Sequence, residues 1–370
     1  MATYRCIALD LCTGARIAEL PLAGLSYSAK LNAVGEASAQ LRLPVDNPTI
    51  AAVYNDAVDE SRRQLVIERD GIIVWCGIIW LSPYDDTDQT RTIKASEDWS
   101  YFRRRVINTT KTFTSTDQIA IARDLINTAQ AVSGGNINIT VGTETCGVTR
   151  DRVFNKFELK PVGEAVEQLA AIENGFDFAI DANWDPTTGA LVKTFRPSYP
   201  RRGRNYSNTG HVFQLGRNMT SFSWPSDGTR TANRVWLTGN GEGDAMLITS
   251  ATDTYQVQTL ASGGPGYPLL ETVVSNKDVA IQATLDAQAR TRLQSVSTPV
   301  VLPEISVRAN LDPVFGSYIT GDACRILIPA GNPRFPNGLD TYRRIIGWNV
   351  SVGDDGLETV KLTLWEEPGA

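Results

Sequence analysis

The sequence feature that most constrains the fold is a run of three β-rich segments near the start of the chain. Residues 64–69 and 72–81 flank the dipeptide Asp70-Gly71, and residues 89–96 follow after an acidic turn. Asp-Gly between two such runs predicts a tight hairpin, because both central turn residues need positive φ. The middle segment is apolar at successive positions, so both of its faces must be covered, as in a barrel or a sandwich.

A similar three-segment pattern returns near the C-terminus. Residues 323–328, 342–352 and 357–365 each read as a strand, and an Asp-Asp-Gly turn joins the last two. A glycine interrupts the middle segment of both copies, Gly77 in the first and Gly347 in the second. Such a gap suits a bend or a close approach of another backbone. Two meanders can resemble each other by chance, but the repeat predicts two related β-barrel modules.

Length and composition indicate a multidomain globular protein. A chain of 370 residues exceeds one ordinary core and predicts two to four domains. No apolar run approaches the ~20 residues that cross a bilayer, and the N-terminus lacks the apolar core of a signal peptide. We therefore expect synthesis and folding in a cytoplasm. The five cysteines are odd in number, have no CxxC spacing and are predicted to be free and buried: Cys6, Cys12, Cys76, Cys146 and Cys324.

The net charge of −6 is unevenly distributed along the chain. Residues 1–98 hold nine basic and 14 acidic side chains, and residues 206–370 hold 12 and 16. Residues 99–205 hold 14 basic and 11 acidic side chains. An acidic balance in both predicted β modules argues against a nucleic-acid-binding surface there.

The predicted first barrel occupies residues 1–98. A hairpin at 4–20 precedes strands at 25–31 and 37–43, which alternate apolar and polar residues with the period of half-buried strands. A short helix starts at Asn47, and the hairpin described above completes the module. About seven strands are enough for a small closed barrel.

Residues 99–210 read as a peripheral α+β domain. Its predicted elements are a helix at 114–132 capped by Ser115 or Thr116, a helix from Pro161, a strand at 176–182 and a Pro- and Arg-rich linker or exposed arm at 196–204.

Residues 211–261 and 300–370 are predicted to form the second barrel, with residues 262–299 as a small helical insertion. The predicted elements ahead of the C-terminal meander are strands at 221–224, 234–238 and 245–249, and a helix capped by Ser275 or Asn276 that runs to about 294.

Catalytic and metal-binding signatures are weak. The chain has a single histidine, His211, and no GxSxG motif, so we expect a solvated loop histidine instead of a member of a catalytic triad. Histidine-rich and cysteine-based metal sites are excluded by count and spacing. Two acidic turns favour ordinary turn chemistry, with calcium binding as the alternative; they contain Asp85, Asp86, Asp88, Asp354 and Asp355.

Three further patterns are candidate sites. Asp177 and Asp181 share one face of a predicted strand, but four residues place them about 13 Å apart, beyond the separation of a glycosidase pair. Residues 239–244 are glycine-rich but precede a strand, which does not suit phosphate binding. The arginine runs at 103–105 and 201–204 suit either phosphate contact or pairing with neighbouring acids, and we favour the second. The sequence therefore predicts no enzyme and no catalytic, cofactor-binding or metal-binding residues.

The order of these parts resembles the minor tail proteins of long-tailed actinobacteriophages, a family similar to the baseplate hub of contractile phage tails. The segments that carry the resemblance span the chain and are residues 97–105, 161–169, 175–178, 268–271, 321–326 and 344–350.

The resemblance implies a homotrimeric hub of a phage tail tip. Two barrels per subunit would form a ring that continues the tail tube and lets DNA pass, with the α+β domains outside. The implied partners are the distal tail protein, the tape measure protein and tip or fibre proteins, and the implied location is the virion after assembly in the bacterial cytoplasm. The alternative is a carbohydrate-binding or cell-wall-degrading tail component. Exposed coplanar tryptophans would favour sugar binding, and tryptophans buried in the barrels would favour the hub.

Overall fold

The computed structural model describes residues 2–225, 227–257, 266–276, 279, 281–297, 302–353 and 355–367. The fold is mainly β, with mostly antiparallel sheets and a few helices. The chain divides into two compact units, one of Met1–Phe222 with Glu304–Ala370 and one of Ser223–Pro303. We call the second of these the inserted unit.

The first module contains β1 Tyr4–Asp10, β2 Arg16–Leu20, β3 Leu22–Lys30, β4 Glu36–Arg42, α1 Pro48–Ala57, β5 Arg63–Arg69, β6 Ile72–Leu81, β7 Tyr84–Asp85 and β8 Thr90–Glu97. The middle domain contains α2 Trp99–Phe102, β9 Lys111–Asp117, α3 Gln118–Ala131, β10 Ile139–Val141, β11 Thr149–Phe154, α4 Val162–Ala171, β12 Asp177–Trp184 and β13 Leu191–Ser198.

The second module begins with β14 Val212–Gln214 and β15 Met219–Ser223. The inserted unit then contains β16 Arg234–Thr238, β17 Ile248–Thr252, α5 Thr254–Val257, β18 Glu271–Ser275 and α6 Gln282–Val296. The second module resumes with β19 Glu304–Arg308, β20 Ala323–Ile328, β21 Leu339–Val352 and β22 Glu358–Glu366.

The tight turn predicted at Asp70-Gly71 is confirmed. Asp70 and Gly71 have φ of 51° and 81°, and β5 and β6 pair on either side of them. The short helix α1 also begins as expected, since the Asn47 side chain accepts a hydrogen bond of 3.1 Å from the Ile50 amide.

Both faces of β6 are covered, as its continuous apolar sequence requires. Trp75 and Ile79 contribute to a core inside the two modules. Ile78 points to the other face and packs with the middle domain, while Cys76 packs against a small cluster around Ile7. The middle domain therefore lies on the outer face of the first module.

The two modules repeat one order of strands. In the first module the order across the sheet is β3-β4-β8-β6-β5, and in the second it is β15-β19-β22-β21-β20. The order of these strands along the chain also matches, with β6 and β7 together corresponding to the long strand β21. Strand β2, which precedes β3, corresponds to β14. No counterpart of β1 occurs in the described part of the second module, so β14 pairs directly with β20 in parallel.

The registers of the two modules match as well. A bulge interrupts the pairing of β6 with β8 at Trp80, and a bulge interrupts the pairing of β21 with β22 at Ile346. Beyond the bulges, Tyr84 faces Arg91 in the first module as Val350 faces Val360 in the second. The modules are therefore related residue by residue along these strands.

The two-barrel description is not confirmed. The strands of both modules join one continuous sheet in the order β15-β19-β22-β21-β3-β4-β8-β6-β5-β1-β2, and no closed barrel is found among the described residues. The physical reason is that the second edge of β3 pairs with β21, so it is not available to close the first module onto β2.

The middle domain differs from its prediction at the first helix. Residues 111–117 form β9, which pairs with β11, and the helix begins only at Gln118. Asp117 caps it by accepting hydrogen bonds from the amides of Ile119 and Ala120, so Ser115 and Thr116 are not the cap. The β-branched threonines of this segment favour a strand, and Asp117 is a preferred cap residue.

The inserted unit also differs in extent from the predicted 262–299 insertion. Strands β16 and β17, which the sequence assigned to the second barrel, pair with β18 in a separate three-stranded sheet. Ser275 ends β18 and does not cap a helix, because α6 begins at Gln282. In the repeat, this unit occupies the connection between β15 and β19, which corresponds to the short β3–β4 turn.

Candidate assembly site at the joint between the two modules

The joint between the modules is a strand pairing that depends on the length of β21. The first half of β21 pairs with β20, and its second half pairs on the same side with β3, from Gly347 opposite Lys30 to Ser351 opposite Ser26. An added Cβ at Gly347 would lie 3.2 Å from the Ala29 carbonyl oxygen, so the backbones approach closely there. The sheet therefore runs without interruption from one module into the other.

A buried ion pair joins the modules beside this strand pairing. Arg69 Nε and Nη2 donate to the two carboxylate oxygens of Glu358 over 2.7 and 2.8 Å, in the bidentate geometry that makes such pairs strong. The Tyr4 hydroxyl also donates to Glu358, and it lies 2.9 Å from the Tyr27 hydroxyl. The side chains of Arg69 and Glu358 are only 10% and 6% exposed.

Burial of these groups shifts their titration. Burial raises the pKa of Tyr4, and its hydrogen bond to Glu358 raises it further. Burial alone would raise the pKa of Glu358, but donation from Arg69 and Tyr4 holds that pKa below its ordinary value. The pair is therefore charged at neutral pH.

Aromatic rings fill the space next to the ion pair. Trp348 of β21 packs edge-to-face on Tyr27 of β3 and on Phe315, with ring centroids 5.7 and 5.2 Å apart. Edge-to-face contacts of this kind add stability beyond the area that the rings bury. The joint thus combines paired strands, a satisfied ion pair and packed rings.

Asp177 connects the middle domain to both modules. Its carboxylate accepts hydrogen bonds from Asn32 Nδ2 at 2.9 Å and from the Arg202 amide at 2.7 Å, and it forms an ion pair with Arg344. Asp181 pairs with the Arg202 side chain at 2.7 Å. Both acids are therefore engaged by arginines.

The prediction that His211 is a solvated loop residue is wrong. His211 is buried directly before β14, with its ring packed against Tyr318. Its Nε2 lies 3.5 Å from Asp322 and 3.3 Å from Arg204 Nη1. Burial would raise the pKa of Asp322, but hydrogen bonds from His211 and the Arg204 amide hold it below its ordinary value. Sequence patterns could not predict this burial, because Tyr318 and Asp322 are more than 100 residues away from His211 along the chain.

The arginine runs are held by neighbouring groups. Arg103 pairs with Glu167 at 2.8 Å, and Arg104 stacks on the Trp80 ring with 3.8 Å to its centroid. In the second run, Arg201 pairs with Glu367. The segment 196–204 is therefore neither an exposed arm nor a free linker.

The acidic turns show turn chemistry where they are described. The Asp85 carboxylate accepts a 2.8 Å hydrogen bond from the Thr87 amide, which lowers the pKa of Asp85. Asp354 lies outside the described residues. Within the described ranges, no group of three or more His, Cys, Asp or Glu side chains could hold a metal ion.

Seven of the eight tryptophans are buried or half-buried, and only Trp365 is exposed, at 43%. Trp75 is buried inside the first module and Trp99 is buried in the middle domain, so the burial of tryptophans in the two modules that would favour a hub is met only in part. All five cysteines are free. The prediction that all are buried is confirmed for Cys6 and Cys324 only: Cys76 and Cys146 are half-buried, and Cys12 is exposed because it lies in the turn between β1 and β2.

The described helices include none that is long and apolar enough to cross a bilayer. No known family profile matches the sequence, and no curated protein matches it.

Solved phage tail proteins have a similar fold. A tail protein from Neisseria meningitidis MC58 aligns with a TM-score of 0.62 at 14% identity over 98% of this chain and 97% of its own. The 43 kDa tail protein of prophage MuSo2 from Shewanella oneidensis aligns with a TM-score of 0.60 at 13% identity over 98% of both chains. The prophage tail protein gp18 from Listeria monocytogenes EGD-e aligns at 0.52 and 11% identity over 97% and 94%. The chain thus shares the fold of phage tail proteins over its whole length.

Proposed function

We propose that this chain is a structural, non-catalytic component of a phage tail tip: a trimeric hub that joins the tail tube to tip or fibre proteins and gives passage to DNA. The observation that carries the proposal is the internal repeat of strand order and register within a fold shared with phage tail proteins. Three chains with two equivalent modules each would present six equivalent units. A trimer could then stack on a sixfold tube.

The ends of the continuous sheet support a ring. Within the chain, β3 pairs with the second half of β21. In the repeat, β15 corresponds to β3, and the segment containing β7 corresponds to the second half of β21. Among the described residues, β7 pairs only with β8, and β15 pairs with β19 and makes one further bridge, from Met219 to Leu215, so most of the second edge of β15 and that of β7 have no strand partner. Pairing β15 of one copy with β7 of the next would repeat the internal joint between subunits.

The charge distribution suits a DNA conduit. Both modules are acidic, and like charge would repel phosphate and let DNA slide without sticking. The middle domains, with a basic balance, would lie outside the ring. The proposed partners are the distal tail protein, the tape measure protein and tip or fibre proteins, in a virion assembled in the bacterial cytoplasm.

The mass of the purified protein in solution tests this proposal. Native mass spectrometry should give three times the chain mass of 40.4 kDa. Imaging of assembled tails should show three copies at the tip. A monomer or a hexamer in the assembled tail would contradict the hub.

A further inference from the structure

The middle domain presents an unpaired strand edge. All eight residues of β12 pair with β13 on one side, and no strand pairs with its other side among the described residues. The Phe178 amide donates a 2.7 Å hydrogen bond to the Asn32 side chain, so the backbone of Phe178 points away from β13. Because backbone direction alternates along a strand, Ile180 and Ala182 point the same way.

Among the described residues, no hydrogen bond reaches the outward-pointing N–H and C=O groups of Ile180 and Ala182. The backbone and side-chain hydrogen bonds of the described residues include none to the N–H or C=O of either residue beyond the strand ladder. At Phe178 the Asn32 amide oxygen occupies the place where the carbonyl of a neighbouring strand would sit. The edge therefore already binds one amide group and leaves its next two positions open.

A groove with a volume of about 430 Å³ runs along this edge. One wall consists of the consecutive residues 179–183 of β12, and the opposite wall consists of 72–76 of β6. The rest of the lining consists of residues 315–316 and 318–320 together with Ala29, Glu97, Arg202 and Trp348. Runs of consecutive strand residues mean that main chain, and not only side-chain tips, faces the groove.

The chemistry of the groove favours an extended, uncharged chain. Its apolar lining includes Ile73, Val74 and Phe315. The two charged groups on its β12 side, Asp181 and Arg202, already neutralise each other at 2.7 Å. Residues 179–183 span about 13 Å at the usual rise per strand residue, which accommodates about five residues of an added strand.

We propose that this groove receives an extended, mainly apolar segment of a second polypeptide, which adds to the free edge of β12 as a new strand. Main-chain hydrogen bonds to Ile180 and Ala182 would supply affinity, and the apolar wall of β6 would select alternate side chains. That the donor is another tail component rests on the proposed function, whereas the strand addition itself does not.

One substitution isolates the edge. The Ala182 N–H points away from β13, so Ala182→Pro removes only the free donor and keeps the β12–β13 ladder, and proline is tolerated on an edge strand. Ala182→Ser keeps the donor and is the matched control. Both variants should keep the native mass of the wild-type protein, so loss of strand addition and loss of trimerisation are distinguishable.

The probe is the peptide acetyl-Val-Thr-Val-Thr-Val-amide, added in excess to the full chain. Hydrogen exchange resolved to single amides should show roughly tenfold slower exchange at Ile180 and Ala182 in the wild type, the same slowing in Ala182→Ser, and no slowing at Ile180 in Ala182→Pro. N-methylation of the peptide on its pairing edge should abolish the effect, and N-methylation on the opposite edge should not. This peptide control holds even if Ala182→Pro fails to fold.

Three results would overturn the proposal. One is unchanged exchange at Ile180 and Ala182 with saturating peptide. Another is equal protection by both N-methylated peptides, which would indicate binding without strand pairing. The third is protection in the protein alone that grows with its concentration, which would assign the groove to a second copy of this chain.

Discussion

At the scale of residues, the ion pair between Arg69 and Glu358 couples the two modules. We expect Glu358→Ala to lower the free energy of unfolding by about 3 kcal/mol, because it leaves the buried Arg69 guanidinium with only a long hydrogen bond to the Phe315 carbonyl and a distant Asp70 carboxylate. The double variant Arg69→Met with Glu358→Leu should recover most of this loss, since Tyr4 keeps Tyr27 as a hydrogen-bond partner. Urea unfolding at one fixed protein concentration measures both values. A loss below about 1 kcal/mol in the single variant would show that the pair does not stabilise the joint.

Glu97 makes stability depend on pH. Burial raises its pKa to about 8, although the Gly35 amide donates to it and opposes the shift. Between the pKa of about 4.3 in the unfolded chain and this higher value, only the folded state holds the proton. Stability should therefore fall as pH rises through this range, by at most about 1.4 kcal/mol per pH unit.

The variant Glu97→Gln tests this prediction. It keeps an acceptor for the Gly35 amide but cannot titrate, so its unfolding free energy should change less between pH 5 and pH 8 than that of the wild type. Chemical denaturation across that range measures the two slopes. Identical slopes in both proteins would contradict the raised pKa.

At the scale of elements, local pattern predicted the strands well and tertiary pairing decided the exceptions. The Asp-Gly turn, the alternating strands and the C-terminal meander depend on neighbouring residues, so the sequence identifies them. Strand β9, whose second half was expected in a helix, pairs with β11, and its threonines at 112, 114 and 116 favour a strand. The pairing of β3 with β21, which opens the predicted barrels into one sheet, depends on contacts between distant segments and has no local signal.

The two interrupting glycines share a sequence pattern but not a structural position. With the bulges at Trp80 and Ile346 aligned, Gly77 corresponds to Arg343, and Gly347 corresponds to Leu81. An added Cβ at Gly77 would lie 2.3 Å from the Ser96 carbonyl oxygen, whereas at Gly347 the nearest atom is 3.2 Å away. The repeat inferred from these glycines therefore exists, although the glycines themselves are not its equivalent residues.

This difference leads to a prediction for alanine substitutions. Gly77→Ala should lower the free energy of unfolding by about 3 kcal/mol, because the clash is with main chain in the middle of the sheet. Gly347→Ala should cost less than about 1 kcal/mol, since Ala29 needs to move only slightly. The midpoints of urea unfolding of the two variants, measured under the same conditions, test whether the two losses differ. Equal losses would mean that the two positions are packed alike after all.

At the scale of the whole molecule, the candidate assembly site was only partly visible in the sequence. The prediction of a trimer rests on the resemblance to phage tail proteins and on the repeated three-strand pattern. The buried residues that form the joint, such as Arg69, Tyr27 and Glu358, carry no motif, because they meet only after the two modules have paired.

The last prediction concerns the edge that would close the ring. The Pro83 carbonyl accepts from the Thr92 amide, so residue 83 points towards β8 and Tyr84 points towards the free edge. Tyr84→Pro should therefore remove an outward donor without breaking the pairing of β7 with β8, and it should shift the native mass from three chains towards one. Tyr84→Ser keeps the donor and should remain trimeric, as should Ala182→Pro, whose substitution lies in the middle domain. If Tyr84→Pro stays fully trimeric at low micromolar concentration while it folds normally, the subunits do not join through β7, and the internal joint is not repeated between copies.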